Sequence, residues 1–141
     1  MDTDDLVLRP GSADDLPAIT RIQDASPEAA HWNVREYLEY DLVVAARGAR
    51  VVGFAVARRL AEGETELLNL AVDPAWRRQG IGRRLVLHYI WKYRGALWLE
   101  VRRSNAGARK LYESLAFSEH GERRGYYSDS RESAIVMNFH S

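Results

Sequence analysis

Apolar and polar positions along the 141-residue chain change period several times, and each change marks an element. Leu6-Val7-Leu8-Arg9-Pro10 reads as a short strand closed by proline, and Ser12-Ala13-Asp14-Asp15 supplies a cap and first-turn acids for a helix carrying Leu16, Ile19 and Ile22. The stretch from Ala25 to Trp32 breaks that period. Asn33-Val34-Arg35-Glu36 then resembles a capping box opening a second helix through Tyr37, Leu38 and Tyr40. Residues 42–47 and 51–57 are apolar runs separated by Gly48-Ala49-Arg50, the composition of a hairpin turn. Ala61-Glu62-Gly63-Glu64 makes the next turn, so the run that follows is a third consecutive strand.

That run, Leu67-Leu68-Asn69-Leu70-Ala71-Val72, ends at Asp73-Pro74, where proline removes a donor and biases the preceding residue to extended geometry. After Gly82 the period becomes helical. Ile81, Leu85, Val86, Tyr89, Ile90 and Tyr93 share a face, with Arg83, Arg84, His88 and Lys92 mostly elsewhere on the wheel. A strand over 96–101, a helix over 105–115 and two terminal strands complete the pattern. The prediction is an α/β (α+β) fold: residues 1–141 as a single domain, with a mixed central sheet of about seven strands flanked by about four helices.

Between strand and helix lies Arg77-Arg78-Gln79-Gly80-Ile81-Gly82-Arg83. A helix start offers unpaired N–H groups and the positive end of the helix dipole, and glycine lets an anion approach the backbone without a Cβ in the way. A pyrophosphate suits such a loop; a tight turn among solvated arginines is the plainer alternative. No third glycine completes a dinucleotide fingerprint, and no Gly-Lys-Ser/Thr follows to make a P-loop.

Composition narrows the classes further. Hydrophobic residues at 46% and charged residues at 28% are ordinary for a globular chain of this length. Twenty basic residues balance twenty acidic ones, so no global field recruits nucleic acid, and the arginines at 77, 78, 83 and 84 act only locally. The absence of cysteine rules out disulfides and thiol catalysis, and His31, His88, His120 and His140 are too scattered to suggest a metal site. An acidic start and no apolar stretch of about twenty residues lead to the expectation of a cytoplasmic protein with no membrane partner.

Four positions invite chemistry. Glu100 sits in Leu97-Trp98-Leu99-Glu100-Val101, apolar on both strand faces, where a carboxylate is costly unless paired, hydrogen-bonded or functional; an ion pair with Arg102 or another arginine is the structural alternative. Tyr112 shares an apolar helix face with Ala108, Leu111 and Leu115, which reads as a core aromatic with its hydroxyl at the edge. Asn69, polar within its run, marks either a bulge or a solvent-facing position. Trp32 lies between two short helices, where a tryptophan more often seals a core than lines a pocket.

Arg77-Arg78-Gln79-Gly80-Ile81-Gly82 resembles the Arg/Gln-x-x-Gly-x-Gly/Ala signature of the GNAT superfamily of N-acetyltransferases. Asn69-Leu70-Ala71-Val72-Asp73-Pro74, Trp98-Leu99-Glu100-Val101-Arg102, Ser104-Asn105, Leu111-Tyr112-Glu113 and Arg124-Gly125-Tyr126-Tyr127 are similar to the bacterial ribosomal-protein-alanine N-acetyltransferases within it. The resemblance covers roughly the C-terminal half. It implies an acetyl-CoA-dependent enzyme with no metal, in which residues 77–83 hold the coenzyme pyrophosphate, Leu70, Ala71 and Val72 line the pantetheine arm, and Asn105 and Tyr112 contact the coenzyme. It further implies Glu100 as general base and Tyr112 as general acid, and an acceptor site using Trp32, Asn69, Tyr126 and Tyr127. The expected acceptor is a protein or peptide N-terminus, with a ribosomal protein among the candidates, and the expected state a monomer or weak homodimer. A small amine, a lysine side chain, or a non-catalytic acyl-CoA-binding role remain the alternatives. Two departures stand out: Ala116-Phe117 replaces the usual Gly-Phe, and residues 128–132 lack the usual proline.

Overall fold

The computed structural model describes residues 5–127 and 132–141, without the side chains of 124–127. Seven strands form one sheet in the order β1-β2-β3-β4-β5-β7-β6. They are β1 (Leu6–Pro10), β2 (Asp41–Arg47), β3 (Arg50–Ala61), β4 (Glu64–Val72), β5 (Ala96–Arg102), β6 (Ser118–Tyr127) and β7 (Glu132–His140). The helices are α1 (Leu16–Asp24), a six-residue 3-10 helix (Val34–Glu39), α2 (Ile81–Lys92) and α3 (Ala106–Ser114), with single 3-10 turns at Ala13–Asp15 and Pro74–Trp76. This is the expected single α/β domain. All strand pairs are antiparallel except β4 with β5.

Each face of the sheet buries a separate cluster. Leu85, Val86 and Tyr89 of α2 and Tyr112 and Leu115 of α3 pack with Val52, Leu67, Leu97 and Leu99 on one face. Ile19 and Ile22 of α1 and Tyr37 pack with Val44, Phe54, Val56 and Ala71 on the other. The Tyr89 hydroxyl donates to the carbonyls of Asp41 and Ala55 at 2.8 and 2.9 Å, which pins α2 to the sheet.

The second predicted helix is a 3-10 helix rather than an α-helix. Its anchors Val34, Tyr37 and Tyr40 are three residues apart and all meet the α1-side cluster, a spacing that a three-residue turn aligns and a 3.6-residue turn does not. Asn33 caps it, its side chain accepting from the Arg35 N–H at 3.1 Å.

Asn69 does sit beside a bulge. The β3–β4 register jumps between the pairs Val56 with Asn69 and Ala57 with Leu67, so Leu68 has no partner. Leu68 and Asn69 therefore both face α1, and an amide that strict alternation would have driven into the α2-side core meets polar partners instead.

The unusual Ala116 ends α3. The Phe117 N–H donates to the Tyr112 carbonyl at 3.0 Å and the Ala116 N–H to that of Glu113 at 3.0 Å, the bond pair of a Schellman cap, and Phe117 packs on Tyr112 with ring centroids 5.5 Å apart. The cap requires a left-handed residue, and Ala116 supplies it at φ 71. An L-residue there costs about 1–2 kcal/mol, partly offset by the about 0.4–1 kcal/mol that glycine forfeits in the unfolded chain. Ala116→Gly is therefore expected to stabilise the protein by about 0.5–1 kcal/mol and raise Tm by a few degrees. A lower Tm in thermal unfolding would mean that the Ala116 methyl contributes packing that outweighs its strain.

Candidate active site

The site arises where the sheet comes apart. β4 pairs with β5 only from Glu64 with Ala96 to Leu67 with Leu99, while β3 stays paired with β4 to Val72 and β7 with β5 to Arg102. Residues 68–72 and 100–102 thus diverge as two arms of one sheet, and α2 and α3 begin at the ends of these arms. Unpaired backbone on the inner edge of β4 is available to an extended ligand.

A groove of about 490 Å³ runs between the helix starts, lined by Leu70, Ala71, Val72, Trp76, Arg77, Arg78, Gly80 to Arg83, Asn105 and Leu111. Every residue expected to hold coenzyme lines it except Gln79 and Tyr112. Gly80 caps α2 at φ 76, and the first intrahelical bond within this turn is Arg84 N–H to Gly80 carbonyl at 3.1 Å, so the N–H groups of Ile81, Gly82 and Arg83 remain open at the helix start. A Cβ on Gly82 would come within 3.3 Å of Leu111, so glycine there lets α2 and α3 close on each other.

Two of the expected coenzyme ligands are already engaged with the loop after α1. Arg77 pairs with Glu28 at 2.8 Å and donates to Ser26 Oγ at 3.2 Å and to the Val72 carbonyl at 3.2 Å. Asn105 caps α3, accepting from the Ala108 N–H at 3.2 Å, and its Nδ2 donates to the Glu28 carbonyl at 3.4 Å. The loop is thus strapped across the groove mouth between the two helix starts.

At the inner end the groove narrows to a neck of about 40 Å³ bordered by Ala30, Leu67, Leu99, Glu100, Asn105 and Tyr112. Beyond it opens a cavity of about 250 Å³ lined by Ala30, Trp32, Arg58, Glu66, Leu67, Leu68, Glu100 and Arg123. Tyr112, 6% exposed, reaches the neck from α3, positioned by the cap just described. Glu100 lies on the opposite face of β5 from Leu97, Leu99 and Val101, so the strand is not apolar on both faces: Trp98 and Glu100 look away from α2 and α3. Its Oε1 accepts from Arg123 at 2.5 Å, the ion pair with an arginine that was one alternative, while Oε2 is buried with no hydrogen-bond partner. A lone buried carboxylate oxygen at a neck is placed to accept a proton from whatever enters.

Trp32 is 37% exposed and forms a wall of the cavity rather than a core seal, with its carbonyl accepting from Gln23 Nε2 at 2.7 Å. Asn69 borders the neck, yet its amide is committed to the protein: the two Nδ2 hydrogens are shared among the Ala30 carbonyl at 2.8 Å, Tyr37 hydroxyl at 3.0 Å and Gln23 Oε1 at 3.3 Å, and Oδ1 accepts from the Leu70 N–H at 2.9 Å. Leu70 N–H is therefore not a free donor on the β4 edge. The side chains of Tyr126 and Tyr127 lie outside the described residues. Glu28, Arg58 and Glu66 also line the site, and nothing in the sequence marks them; they are polar residues distinguished only by what the fold brings beside them.

A parallel pair that splays beside a glycine-opened helix, with a carboxylate and a phenol bordering one neck, leaves a groove on one side and a cavity on the other, room for two ligands to meet. The model of the acetyltransferase (GNAT) family matches residues 13–117, and the chain belongs to that family: it is an N-acetyltransferase. It is 41% identical over 137 residues to the [ribosomal protein bS18]-alanine N-acetyltransferase of Escherichia coli K12, covering 87% of this chain and 89% of that one. The crystal structure of the ribosomal-protein-S18-alanine N-acetyltransferase from Escherichia coli superposes with a TM-score of 0.81 at 35% identity, covering 96% of this chain and 93% of that one. Ard1 from Thermoplasma volcanium gives a TM-score of 0.83 at 28% identity, covering 95% of this chain and 96% of that one.

Proposed function

We propose that the protein transfers the acetyl group of acetyl-CoA to the N-terminal α-amine of a protein, with Glu100 as general base and Tyr112 as general acid. The observation that carries this is the neck. Among the described residues, Glu100 is the only ionisable side chain lining both neck and outer cavity, and Tyr112 borders the neck from α3. Coenzyme phosphates would lie on the open N–H groups at the start of α2, with pantetheine along β4, which brings the thioester to the neck.

The acceptor amine enters from the outer cavity. Its nitrogen attacks the thioester carbonyl as Glu100 takes a proton from it, directly or through a water; the C–S bond then breaks and the sulfur receives the Tyr112 proton. A phenol of ordinary pKa ~10 stays protonated at neutral pH and so can donate. Arg123 competes for Glu100, so an incoming ammonium takes over part of its role before losing its proton. Kinship with the ribosomal-protein-alanine N-acetyltransferases supports an exposed N-terminus as acceptor, and a neck of about 40 Å³ suits a small first residue such as alanine. An α-amine of pKa ~8 also presents far more neutral nucleophile at pH ~7 than a lysine at ~10.4.

The test offers purified protein acetyl-CoA with free-N-terminus peptides, blocked lysine peptides and small amines. The expected result is acetylation of free N-termini beginning with small residues. Preference for blocked lysine peptides or a small amine would overturn the acceptor assignment and leave the family membership untouched.

A further inference from the structure

We infer that Gln23, Tyr37 and Asn69 form a buried positioning network that fixes the loop between α1 and the 3-10 helix against the splayed arm of β4, and so sets acceptor affinity without touching the reacting atoms. The three side chains are 5%, 0% and 6% exposed within a cluster that is otherwise aliphatic and aromatic. Gln23 Oε1 accepts from the Tyr37 hydroxyl, Asn69 Nδ2 shares its two hydrogens among the Ala30 carbonyl, the Tyr37 hydroxyl and Gln23 Oε1, and Gln23 Nε2 donates to the Trp32 carbonyl. Each polar side-chain atom of the trio has a partner. Such a closed network specifies one arrangement of the elements it joins, and here these are α1, the 3-10 helix, β4 and the loop.

What the network holds is one wall of the acceptor site. Ala30 and Trp32 line the outer cavity, and Ala30 also lines the neck. Gln23 and Tyr37 line neither. The other side of the same loop is tied separately, through Ser26 and Glu28 to Arg77 and Asn105 at the coenzyme groove. The loop therefore carries two sets of tethers, one facing each substrate, and loosening the inner set alone should weaken the acceptor and spare the coenzyme. Burial pushes the Tyr37 phenol up to about 12, so it stays a donor at any pH an amine acceptor needs.

The kinetic arm of the test rests on the acetyltransferase reading; the exchange arm does not. Tyr37→Phe keeps the ring against Phe54, 5.6 Å away between centroids, and deletes the hydroxyl. Its acceptor KM should rise about tenfold, ~1.4 kcal/mol, with acetyl-CoA KM and kcat changed by less than about twofold. The KM ratio to the parent should stay flat with pH, and hydrogen exchange across residues 25–33 should speed up about tenfold. Gln23→Met, which keeps the side-chain length but removes the donor to the Trp32 carbonyl and the acceptor for Tyr37, should give the same split. Ile19→Val, in the same cluster, controls for general destabilisation and should leave both readouts at parent values. Unchanged loop exchange in Tyr37→Phe, or equal change in Ile19→Val, overturns the network, as does a loss shared between both KM values. A parent that acetylates no peptide overturns the function proposed above, and the exchange arm still decides the network.

Discussion

Glu100→Gln is expected to lower kcat/KM by about 10²–10⁴, the usual worth of a positioned general base, while leaving the fold and acetyl-CoA binding intact. The change is isosteric and Arg123 can still donate to the amide oxygen, so little packing is lost. The deficit should depend on pH in a defined direction. Without a base, the variant relies on amine that is already neutral, a fraction that grows about tenfold per pH unit up to the amine pKa of ~8. The deficit is therefore greatest at low pH and shrinks towards pH ~9. Tyr112→Phe should also lower kcat with little change in coenzyme affinity, because the ring retains its contact with Phe117 and only the transferable proton goes. Steady-state kinetics with isothermal binding of acetyl-CoA separates the outcomes. Equal loss of coenzyme binding in both variants, or turnover unchanged in either, would return these two residues to a structural role.

Gly80→Asp is expected to abolish most of the stabilisation that acetyl-CoA gives the protein. At a ligand concentration of about one hundred Kd the parent should gain about 2.7 kcal/mol, seen as a rise in Tm. In the variant a carboxylate stands at the helix start, where the coenzyme phosphates would otherwise meet the open N–H groups of residues 81–83, so like charges compete for one site. Nothing in the protein lies within 4 Å of a Cβ at Gly80, which means that the added side chain clashes with no neighbour and its effect falls on the ligand. The φ of 76 does strain any side chain, so Gly80→Ala serves as the companion: it carries the strain without the charge. A ligand-induced shift in Gly80→Asp equal to that of Gly80→Ala would show that the phosphates do not sit at α2. No shift in the parent would remove acetyl-CoA as ligand altogether.

Sequence periodicity by itself determined most of the elements, their order and the glycine-opened loop before α2. The face of α2 that repeats every three to four residues is the face that is buried, and Gly80 had to open a helix because an apolar strand, a proline and then a helical period left it no other place. These are local facts, encoded within one or two turns of chain. Capping chemistry is common to both helix types, so it places the second helix without fixing its 3-10 form, which the three-residue spacing of Val34, Tyr37 and Tyr40 against the core decides. Glu100 could be picked out as an acid in an apolar strand, but its actual face depends on the sheet: α1 covers the β4 side and leaves the β5 arm open, so the carboxylate meets a cavity and Arg123 rather than a hydrophobic core. Trp32 and Asn69 depend on the tertiary structure in the same way. Trp32 stands as a wall of the cavity, while Asn69, turned inward by the Leu68 bulge, is the hub of contacts 32 and 46 residues away, to Tyr37 and Gln23. Long-range pairings of that kind leave no periodic trace, since each partner is locally unremarkable. The splay of β4 from β5, on which the whole site depends, is a property of two strands far apart in the chain, and tertiary structure alone decides where their pairing stops.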